Sequence, residues 1–348
     1  MGEEAEILAR TESHVGRLTL NRPRALHALN IEMCQALTEA LEAWRGDAAV
    51  GAVLLDHAGP RGFCAGGDVR RAAQSGAGDG AEARAFFSTE YRLNALMFDY
   101  PKPILAIMDG VTMGGGAGLA MPARWRVATE HTLFAMPEAA IGLFPDVGAG
   151  WWLPRLPGEA GPWLALTGAR LGPADCLALG VATHFVPAAQ LEAFKAAALA
   201  GEGEAAARIE AALETFAADP GPAPVAGRRA DIDRLFGQPS AEAIFAALEA
   251  DGGAWAGEQL AALRKGSPTT LKVALRLLAE GAARTSFAEE MAVEYALAAR
   301  ICASHDFIEG VRAVLVDKDG APRWDPATLA GVTPAQVDAL FAPLGDEG

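Results

Sequence analysis

Two carboxylates stand out because they occur in an otherwise apolar run that also contains glycine. The run is FAMPEAAIGLFPDVGAGWWLPRL, and its acids are Glu138 and Asp146. Ionisation of a carboxylate is disfavoured in apolar surroundings unless the group has a partner, so such a pair is a candidate for acid/base or nucleophilic chemistry. The alternative is structural, with one acid capping a helix and the other occupying a turn.

Two glycine clusters precede this run, and each is predicted to follow a strand and to lead into a helix. They are GFCAGGD, from Gly62 to Asp68, and MGGGAG, from Met113 to Gly118. Glycine lets a ligand approach the main chain, and N–H groups at such turns hold anions. Two clusters that converge on one oxygen would therefore make an oxyanion hole. Taken singly, each cluster is also compatible with an ordinary turn or with close helix packing.

Several other catalytic signatures are absent. The sequence has no GxSxG, GxxxxGK[ST] or HExxH, and no GxGxxG between a strand and a helix, which argues against serine hydrolases, nucleotide hydrolases, zinc proteases and dehydrogenases. None of the six histidines has a neighbour in sequence that suggests catalysis. The four cysteines lie far apart without a CxxC pair, so neither a disulfide framework nor a structural metal site is predicted, and a reducing compartment fits best.

The elements that must position these residues alternate between strand and helix in the first half of the chain. Because short glycine turns separate them, these elements predict an α/β architecture. Beyond Gly158 the spacing of apolar residues is helical almost throughout. The predicted elements are strands at Gly16–Leu20, Val50–Leu55, Ile104–Met108 and Trp125–Ala128, a helix at Asn30–Trp44, and helical residues leading to Tyr100.

The charge balance bears on possible partners. With 29 basic and 44 acidic residues the net charge is −15, a field that repels nucleic acid. An anionic ligand would need a local basic patch, for which the arginines at 22, 24, 70 and 71 are candidates, the alternative being solvated surface. The N-terminus shows no basic start before an apolar run, and the longer apolar stretches are interrupted by Gly, Pro and Asp. We therefore predict no targeting signal, no membrane span and a cytoplasmic location.

The segments GFCAGGDV, TMGGGAGLA and MPEAAIGLFPDVGAG, in this order and spacing, resemble the signature segments of the crotonase superfamily. The resemblance implies a crotonase-like spiral of repeated ββα units with a helical C-terminal region. It also implies a bent acyl-CoA whose thioester oxygen is held by two main-chain N–H groups. By motif, those donors would be Gly67 and Gly115, and Ala65 and Val69 would lie beside the adenine part of coenzyme A.

Within the superfamily the resemblance is greatest to the 3-hydroxyisobutyryl-CoA hydrolases. Hydratases use two glutamates, of which the first matches Gly118 here and the second matches Glu138. Asp146 in LFPDVG and Glu90 in FFSTEY match acids of the hydrolases. The segments KGSPTTLKVALRLL and HDFIEGVRAVLVDKDGAPRWDP resemble the closing segments of that group, so the similarity covers most of the chain and is weakest over residues 202–255.

The resemblance implies hydrolysis of 3-hydroxyisobutyryl-CoA to 3-hydroxyisobutyrate and CoA, a step of valine catabolism. Gly67 and Gly115 would stabilise the oxyanion, and Glu138 would act either as a nucleophile through an anhydride or as a base for water. Asp146 would orient the substrate hydroxyl or the water, and Glu90 would help to hold the acyl end. This chemistry requires no metal or separate cofactor, because coenzyme A enters with the substrate. Assembly into trimers or hexamers is expected from the resemblance.

Two other functions remain open. One is an enoyl-CoA hydratase or isomerase of the same fold, in which Asp146 replaces the missing acid, since a fold alone does not fix the chemistry. The other is a non-catalytic CoA- or RNA-binding relative, against which the net charge of −15 and the intact Glu138 both argue.

The predicted organisation has two parts. Residues 1–215 are expected to form the spiral core with the acyl-CoA site, and residues 216–348 a mainly helical C-terminal region. The stretch AADPGPAPVAGRR, residues 217–229, is rich in Pro, Gly and Ala and is the candidate connection between them.

Overall fold

The computed structural model describes residues 5–60, 62–201 and 203–344. Arg61, which precedes the first glycine cluster, lies outside the described residues. So do residues 1–4, which belong to the N-terminal stretch for which no targeting signal is predicted. The chain divides into two compact units, each assembled from separate segments. Unit 1 comprises the residues up to Gly67, Arg92–Phe134 and Arg170–Ala226; unit 2 comprises Asp68–Tyr91, Ala135–Ala169 and the residues from Gly227 onward. The predicted boundary at residue 215, between the spiral core and the helical C-terminal region, stays a prediction. The two compact units are defined by packing and do not test where the spiral core ends.

Nine strands occur among the described residues and form two sheets. They are β1 (Ile7–Glu12), β2 (Val15–Leu20), β3 (Ala52–His57), β4 (Gly62–Cys64), β5 (Ile104–Met108), β6 (Val111–Met113), β7 (Trp125–Ala128), β8 (Leu133–Ala135) and β9 (His184–Phe185). The larger sheet has the order β1-β2-β3-β5-β7-β9, in which only β1 runs antiparallel to its neighbour. The smaller sheet has the order β4-β6-β8, so it places the two glycine clusters on adjacent parallel strands.

The described helices occupy most of the rest of the chain. They are α1 (Ile31–Arg45), α2 (Val69–Gly76), α3 (Ala81–Phe98), α4 (Gly115–Ala120), α5 (Ala149–Trp152), α6 (Ala160–Thr167), α7 (Pro173–Ala178), α8 (Leu191–Leu199), α9 (Ala205–Phe216), α10 (Arg229–Phe236), α11 (Ala241–Asp251), α12 (Ala254–Leu263), α13 (Pro268–Ala283), α14 (Phe287–Ile301), α15 (His305–Val311) and α16 (Pro334–Phe341).

The core of unit 1 lies between the larger sheet and two helices. Strand β5 is buried over its whole length, as expected for a parallel strand covered on both faces. Apolar side chains of the sheet, including Leu54 and Ile107, form one cluster with Phe194 of α8 and Ile209 of α9. This packing holds the larger sheet, whose strands β3 and β5 directly precede β4 and β6 in the chain.

The predicted helix at Asn30–Trp44 is confirmed, with Asn30 as its cap. The Asn30 side chain accepts a hydrogen bond from the N–H of Met33 at 2.7 Å, which satisfies one of the free donors at the helix start. Of the apolar residues that recur at helical spacing, Cys34, Leu37, Leu41 and Trp44 are buried, whereas Ile31 is partly exposed. Trp44 at the last turn lies against Gly16, where a Cβ atom would come within 2.5 Å of the indole.

The other predicted elements agree with the structure in part. The strands at Ile104–Met108 and Trp125–Ala128 are confirmed, and the strand predicted at Val50–Leu55 lies two residues later. The helical stretch leading to Tyr100 is two helices, α2 and α3, separated near Gly80. The sequence analysis did not predict β1, a partly exposed strand, or the three-residue strands β4, β6 and β8. The helical character beyond Gly158 is confirmed, with β9 as a short exception.

Candidate active site

The two glycine clusters meet in unit 1. Gly66 and Gly114 have φ of +111° and +48°, conformations that side chains rarely adopt. A Cβ atom on Gly66 would lie 3.7 Å from the amide nitrogen of Gly115, and one on Gly116 would lie 2.3 Å from the carbonyl oxygen of Cys64. The clusters are therefore in main-chain contact, which only residues without side chains allow.

The contacts around these turns leave two N–H groups available. The N–H of Ala65 donates to Leu26 at 3.0 Å, and the carbonyl of Gly66 accepts from Leu29 at 2.7 Å, so the first turn is held on one side. Gly115 begins α4 and therefore has no acceptor within its helix. Among the described residues, neither Gly67 nor Gly115 donates its main-chain N–H to a main-chain carbonyl. This is compatible with the predicted role of the two N–H groups as donors to an anionic oxygen, which stays a prediction.

Glu138 lies in unit 2 at the start of a 3-10 turn, Glu138–Ile141, that is fixed from the C-terminal helices. The N–H of Ser267, the N-cap of α13, donates to the carbonyl of Ala139 at 3.0 Å. A Cβ atom on Gly310 of α15 would lie 2.4 Å from the carbonyl carbon of Ile141, so this helix is in close main-chain contact with the turn. Residues from the KGSPTT and DFIEGVRA segments therefore hold the segment that carries Glu138.

Asp146 follows in the loop before α5. Its Oδ2 accepts a hydrogen bond from the hydroxyl of Tyr91 at 2.6 Å, and both side chains are buried. Tyr91 is in turn packed against Phe87, with ring centroids 5.8 Å apart on α3. Because Tyr91 is held in place, its hydroxyl fixes the orientation of the Asp146 carboxylate.

The three predicted acids are gathered in unit 2 and shielded from solvent. Glu90, Glu138 and Asp146 are 2%, 4% and 4% exposed, which confirms that the acids of the apolar run are not merely solvated. Burial and then the charge of Asp146 raise the pKa of both Glu90 and Glu138 well above the ordinary glutamate value. Burial also raises the pKa of Asp146 to about 6, while the Tyr91 hydrogen bond opposes the shift. Glu90 Oε1 and Glu138 Oε2 have no hydrogen-bond partner among the described residues.

The sequence analysis did not single out Tyr91, nor the further buried glutamates of this unit, Glu290, Glu294 and Glu309. Glu294 accepts hydrogen bonds from the N–H groups of Gly148 and Gly150, and Glu290 pairs with Arg284 at 2.6 Å. A signal was available, since acids spaced four residues apart in FAEEMAVEYALAARI fall on the apolar stripe of the helix.

The predicted substrate-contacting and basic residues have mixed surroundings. Ala65 in unit 1 and Val69 in unit 2 are half-buried, and their role beside adenine stays a prediction. Three of the four candidate arginines have partners within their own units: Arg22 with Glu6, Arg70 with the carbonyl of Leu315, and Arg71 with Glu82. Arg24 is exposed. These contacts give no support to the prediction that the four arginines form a basic patch for an anionic ligand.

Other chemistries find little support among the described residues. The four cysteines are buried and form no disulfide. Within residues 5–60, 62–201 and 203–344, no three His, Cys, Asp or Glu side chains form a group suited to a metal ion. None of the helices in that part of the chain combines the length and apolar character needed to cross a membrane.

Residues 15–341 match the family described as Enoyl-CoA hydratase/isomerase. The chain belongs to the enoyl-CoA hydratase/isomerase family. Membership of the crotonase superfamily, predicted from three glycine-containing segments, is thereby confirmed. The match extends from β2 to the end of α16 and so includes every predicted site residue.

Several curated relatives of this enoyl-CoA hydratase/isomerase family member are similar over nearly their whole length. It is 42% identical over 347 residues to "3-hydroxyisobutyryl-CoA hydrolase, mitochondrial" of Danio rerio, covering 98% of this chain and 91% of the relative. It is 41% identical over 345 residues to the protein of the same name from Homo sapiens, covering 98% and 89%. The predicted resemblance to this group of hydrolases is confirmed.

Solved structures agree on the fold and carry other names. A carnitinyl-CoA dehydratase from Mycobacterium thermoresistibile is 42% identical, with a TM-score of 0.93 and coverage of 99% of this chain and 98% of that one. An enoyl-CoA hydratase from Rhodobacter sphaeroides 2.4.1 is 40% identical, with a TM-score of 0.89 and coverage of 98% of both chains. The predicted α/β crotonase-like fold with a helical C-terminal region is confirmed for this member of the family.

Proposed function

We propose that the protein is an acyl-CoA thioester hydrolase that converts 3-hydroxyisobutyryl-CoA and water to 3-hydroxyisobutyrate and CoA. The observation that carries the proposal is the buried group of Glu90, Glu138 and Asp146. The resemblance matches Glu90 and Asp146 to acids of the hydrolases and Glu138 to the second glutamate of the hydratases. Relatives at 41–42% identity that bear the hydrolase name support it. Glu138 is the residue to which we assign the reaction at the thioester carbon.

The protonation of the three acids constrains how Glu138 can act. Because they are buried together, ionisation of one acid disfavours ionisation of the others, and the charge of Asp146, whose own pKa is raised to about 6, raises the pKa of Glu138. Glu138 then keeps its proton to higher pH, so loss of this proton precedes its action. Once ionised, the carboxylate can attack the carbonyl, so that the C–S bond breaks, CoA leaves as the thiolate, and water then hydrolyses the anhydride. Alternatively it removes a proton from a water molecule that attacks the carbonyl and displaces CoA, and both routes remain open.

The oxyanion formed by attack on the thioester is assigned to the N–H groups of Gly67 and Gly115. Contact between the two glycine clusters, and the absence of main-chain acceptors for these donors among the described residues, support the assignment. Each such donor contributes a factor of roughly 10²–10³ in rate.

Selectivity for a hydroxylated acyl chain is assigned to Asp146. Tyr91 occupies one oxygen of this carboxylate, and the other is the group that would accept the substrate hydroxyl. A site built to pair with a hydroxyl leaves a buried polar group unmatched when the substrate lacks it, so plain acyl-CoAs should be poor substrates. Glu90 would help to hold the acyl end, and Ala65 and Val69 would contact adenine.

A second candidate function is hydration or dehydration of a CoA thioester. The observation in its favour is that the two solved structures at 40–42% identity are named as a dehydratase and a hydratase. Against it, Gly118 stands where the hydratases of the resemblance have their first glutamate, so Asp146 would have to supply the missing acid.

A direct comparison of the two reactions tests the proposal. Thiol release from 3-hydroxyisobutyryl-CoA is compared with hydration of crotonyl-CoA by the same preparation, and we expect hydrolysis to be the faster reaction. A panel of branched and straight 3-hydroxyacyl-CoAs then identifies the acyl group, since one methyl is worth only about 1–3 kcal/mol of discrimination. Faster hydration would favour the second candidate.

Other properties of the chain stay predictions. The curated relatives are named as mitochondrial proteins, whereas the cytoplasmic location of this chain rests on its sequence alone. Assembly into trimers or hexamers and independence from metals and separate cofactors rest on the resemblance.

A further inference from the structure

The loop that carries Asp146 has an unusual backbone. Val147 and Gly148, which follow Asp146 directly, have φ of +56° and +84°. A β-branched residue in the left-handed region is strained, and such a conformation persists only where its surroundings hold it. Val147 is buried at 2% exposure, so the surroundings in question are protein groups.

The group that holds this loop is the carboxylate of Glu294 in α14. Its Oε2 accepts the N–H of Gly148 at 2.7 Å, and its Oε1 accepts the N–H of Gly150 at 3.0 Å. Because both oxygens of one buried side chain accept, Glu294 fixes the direction of the loop as well as its distance from α14. Glu294 has no exposed surface, so solvent does not compete for these bonds.

The same face of α14 packs against the loop at each turn. A Cβ atom on Gly148 would come within 2.7 Å of the Phe287 ring, and one on Gly150 would lie 1.9 Å from Glu290 Oε1. Phe287, Glu290 and Glu294 are spaced at three and four residues and therefore share one side of the helix. The loop can approach this side only because positions 148 and 150 lack side chains.

The carboxylate at position 294 is costly to the fold. Burial, and then the charge of Glu290, raise the pKa of Glu294 well above the ordinary value, and the charge of Asp146 acts in the same direction. A buried charge is unfavourable unless hydrogen bonds compensate it. The two hydrogen bonds that compensate for burial of Glu294 come from Gly148 and Gly150, in the loop that begins at Asp146. Burial of Glu294 is therefore favourable only when this loop is in place.

We propose that Glu294 is a positioning residue that sets the preference for hydroxylated acyl chains. Through the N–H groups of Gly148 and Gly150, it holds the loop in the conformation that presents Asp146 to the substrate hydroxyl. The inference rests on the proposed function, because it assumes that Asp146 pairs with that hydroxyl.

Kinetics on two substrates test the proposal. Variants Glu294→Gln, which keeps one acceptor oxygen, and Glu294→Ala, which keeps none, are compared with Glu289→Gln, an exposed position on the same helix. The measured quantity is kcat/KM for 3-hydroxyisobutyryl-CoA divided by that for isobutyryl-CoA, which lacks the hydroxyl. We expect this ratio to fall on the order of a hundredfold in Glu294→Ala and by less in Glu294→Gln, since small misplacements of reacting groups have effects of that size. Glu289→Gln should match the wild type.

The loss of kcat/KM should affect 3-hydroxyisobutyryl-CoA and not isobutyryl-CoA. Isobutyryl-CoA has no hydroxyl for Asp146 to bind, so its hydrolysis by the Glu294 variants should stay within about threefold of the wild type. The rates are compared at a pH above the rising limb of each variant's profile, where Glu138 is ionised in every protein. Equal losses on both substrates, or an unchanged ratio with only a lower Tm, would overturn the proposal and leave Glu294 a purely structural residue.

Hydrogen exchange separates this inference from the proposed function. Peptides covering residues 144–152 of the full chain should exchange faster in Glu294→Gln than in the wild type or in Glu289→Gln, because the Gly148 and Gly150 amides lose acceptors. Unchanged exchange contradicts the positioning role even if the enzyme is an active hydrolase. A wild-type protein that does not release thiol contradicts the proposed function, whatever the exchange shows.

Discussion

At the scale of single residues, the chemistry depends on how Asp146 controls the proton of Glu138. After burial, the charge of Asp146 is the largest influence that raises the pKa of Glu138, and the charge of Glu90 acts in the same direction. A base with a raised pKa is active only above that pKa, so kcat/KM should rise with pH over a range higher than an ordinary glutamate would give.

Replacing Asp146 should move this profile. In Asp146→Asn the negative neighbour is gone, the pKa of Glu138 falls, and the rising limb of kcat/KM shifts to lower pH. Isobutyryl-CoA is the suitable substrate, because it does not need the Asp146 carboxylate. Glu90→Gln should shift the limb in the same direction by less, since Glu90 makes a smaller contribution. A shift to higher pH in either variant would show that another group limits the reaction.

Part of the site could be predicted from the sequence. Glu138 and Asp146 were found because carboxylates are rare in apolar runs, and Glu90 because of a motif. Tyr91 and Glu294 were not found, because on amphipathic helices such residues resemble partly solvated side chains. The partners of Glu294 lie 146 and 144 residues away in sequence, and only folding brings them together.

At the scale of elements, the C-terminal helices of unit 2 are the support of the catalytic segments. Helix α14 holds the loop of Asp146, and α15 and the N-cap of α13 hold the turn of Glu138. This explains in physical terms why the KGSPTT and DFIEGVRA segments accompany the glycine-containing segments in one sequence pattern.

The close contact at Gly310 can be tested by adding one methyl group. A Cβ atom there would meet main-chain atoms of Ile141, which cannot rotate away, so Gly310→Ala should displace the Glu138 turn. We expect a loss of about 1–3 kcal/mol in the free energy of unfolding and a lower kcat. Denaturant unfolding and thiol release measure the two effects.

The matched control is Gly257→Ala in α12, where a Cβ atom would meet nothing within 4 Å. Alanine is the better helix former, so this variant should be about 0.5–1 kcal/mol more stable than the wild type and fully active. If Gly310→Ala behaved like the control, α15 would not position the turn.

The accuracy of the element predictions followed element length. Strands of four to six residues with strong apolar patterns were predicted to within two residues, as at Ile104–Met108. The three-residue strands β4 and β6 lie inside the glycine clusters, where the turn residues conceal them. Their pairing brings the clusters together, and it could be expected only from the family resemblance.

At the scale of the whole molecule, the buried acids should make stability depend on pH. Folded Glu138 keeps its proton at pH values where the unfolded chain has lost it, because burial raises its pKa well above the ordinary glutamate value. Its contribution to the free energy of unfolding is therefore complete below the unfolded pKa and is lost as pH rises through the folded pKa.

Glu138→Gln should consequently gain stability relative to the wild type as pH rises, because the amide has no proton to lose. Denaturant unfolding at about pH 5 and about pH 8 should show a larger advantage for the variant at the higher pH. Glu289→Gln controls for the removal of an exposed acid. An advantage that shrinks with rising pH would show that Glu138 is ionised more easily in the folded chain than its burial implies.

The arrangement into two units could not be predicted from local sequence patterns. Each unit contains segments from both halves of the chain, and the proline-rich stretch at 217–229 covers only one of the points where the chain passes between units. The local composition of a chain shows which stretches are poor in apolar residues. Which distant segments pack together depends on long-range contacts, and a short stretch of sequence does not show these.

The central claim is that the Glu138 carboxylate carries out hydrolysis of a hydroxyacyl-CoA. Its most direct test is thiol release from 3-hydroxyisobutyryl-CoA by the wild type and by Glu138→Gln, with CoA binding measured on both proteins. The account predicts that the variant loses thiol release by a factor of at least about 10² while it binds CoA as the wild type does. A Glu138→Gln protein that releases thiol at the wild-type rate would contradict it.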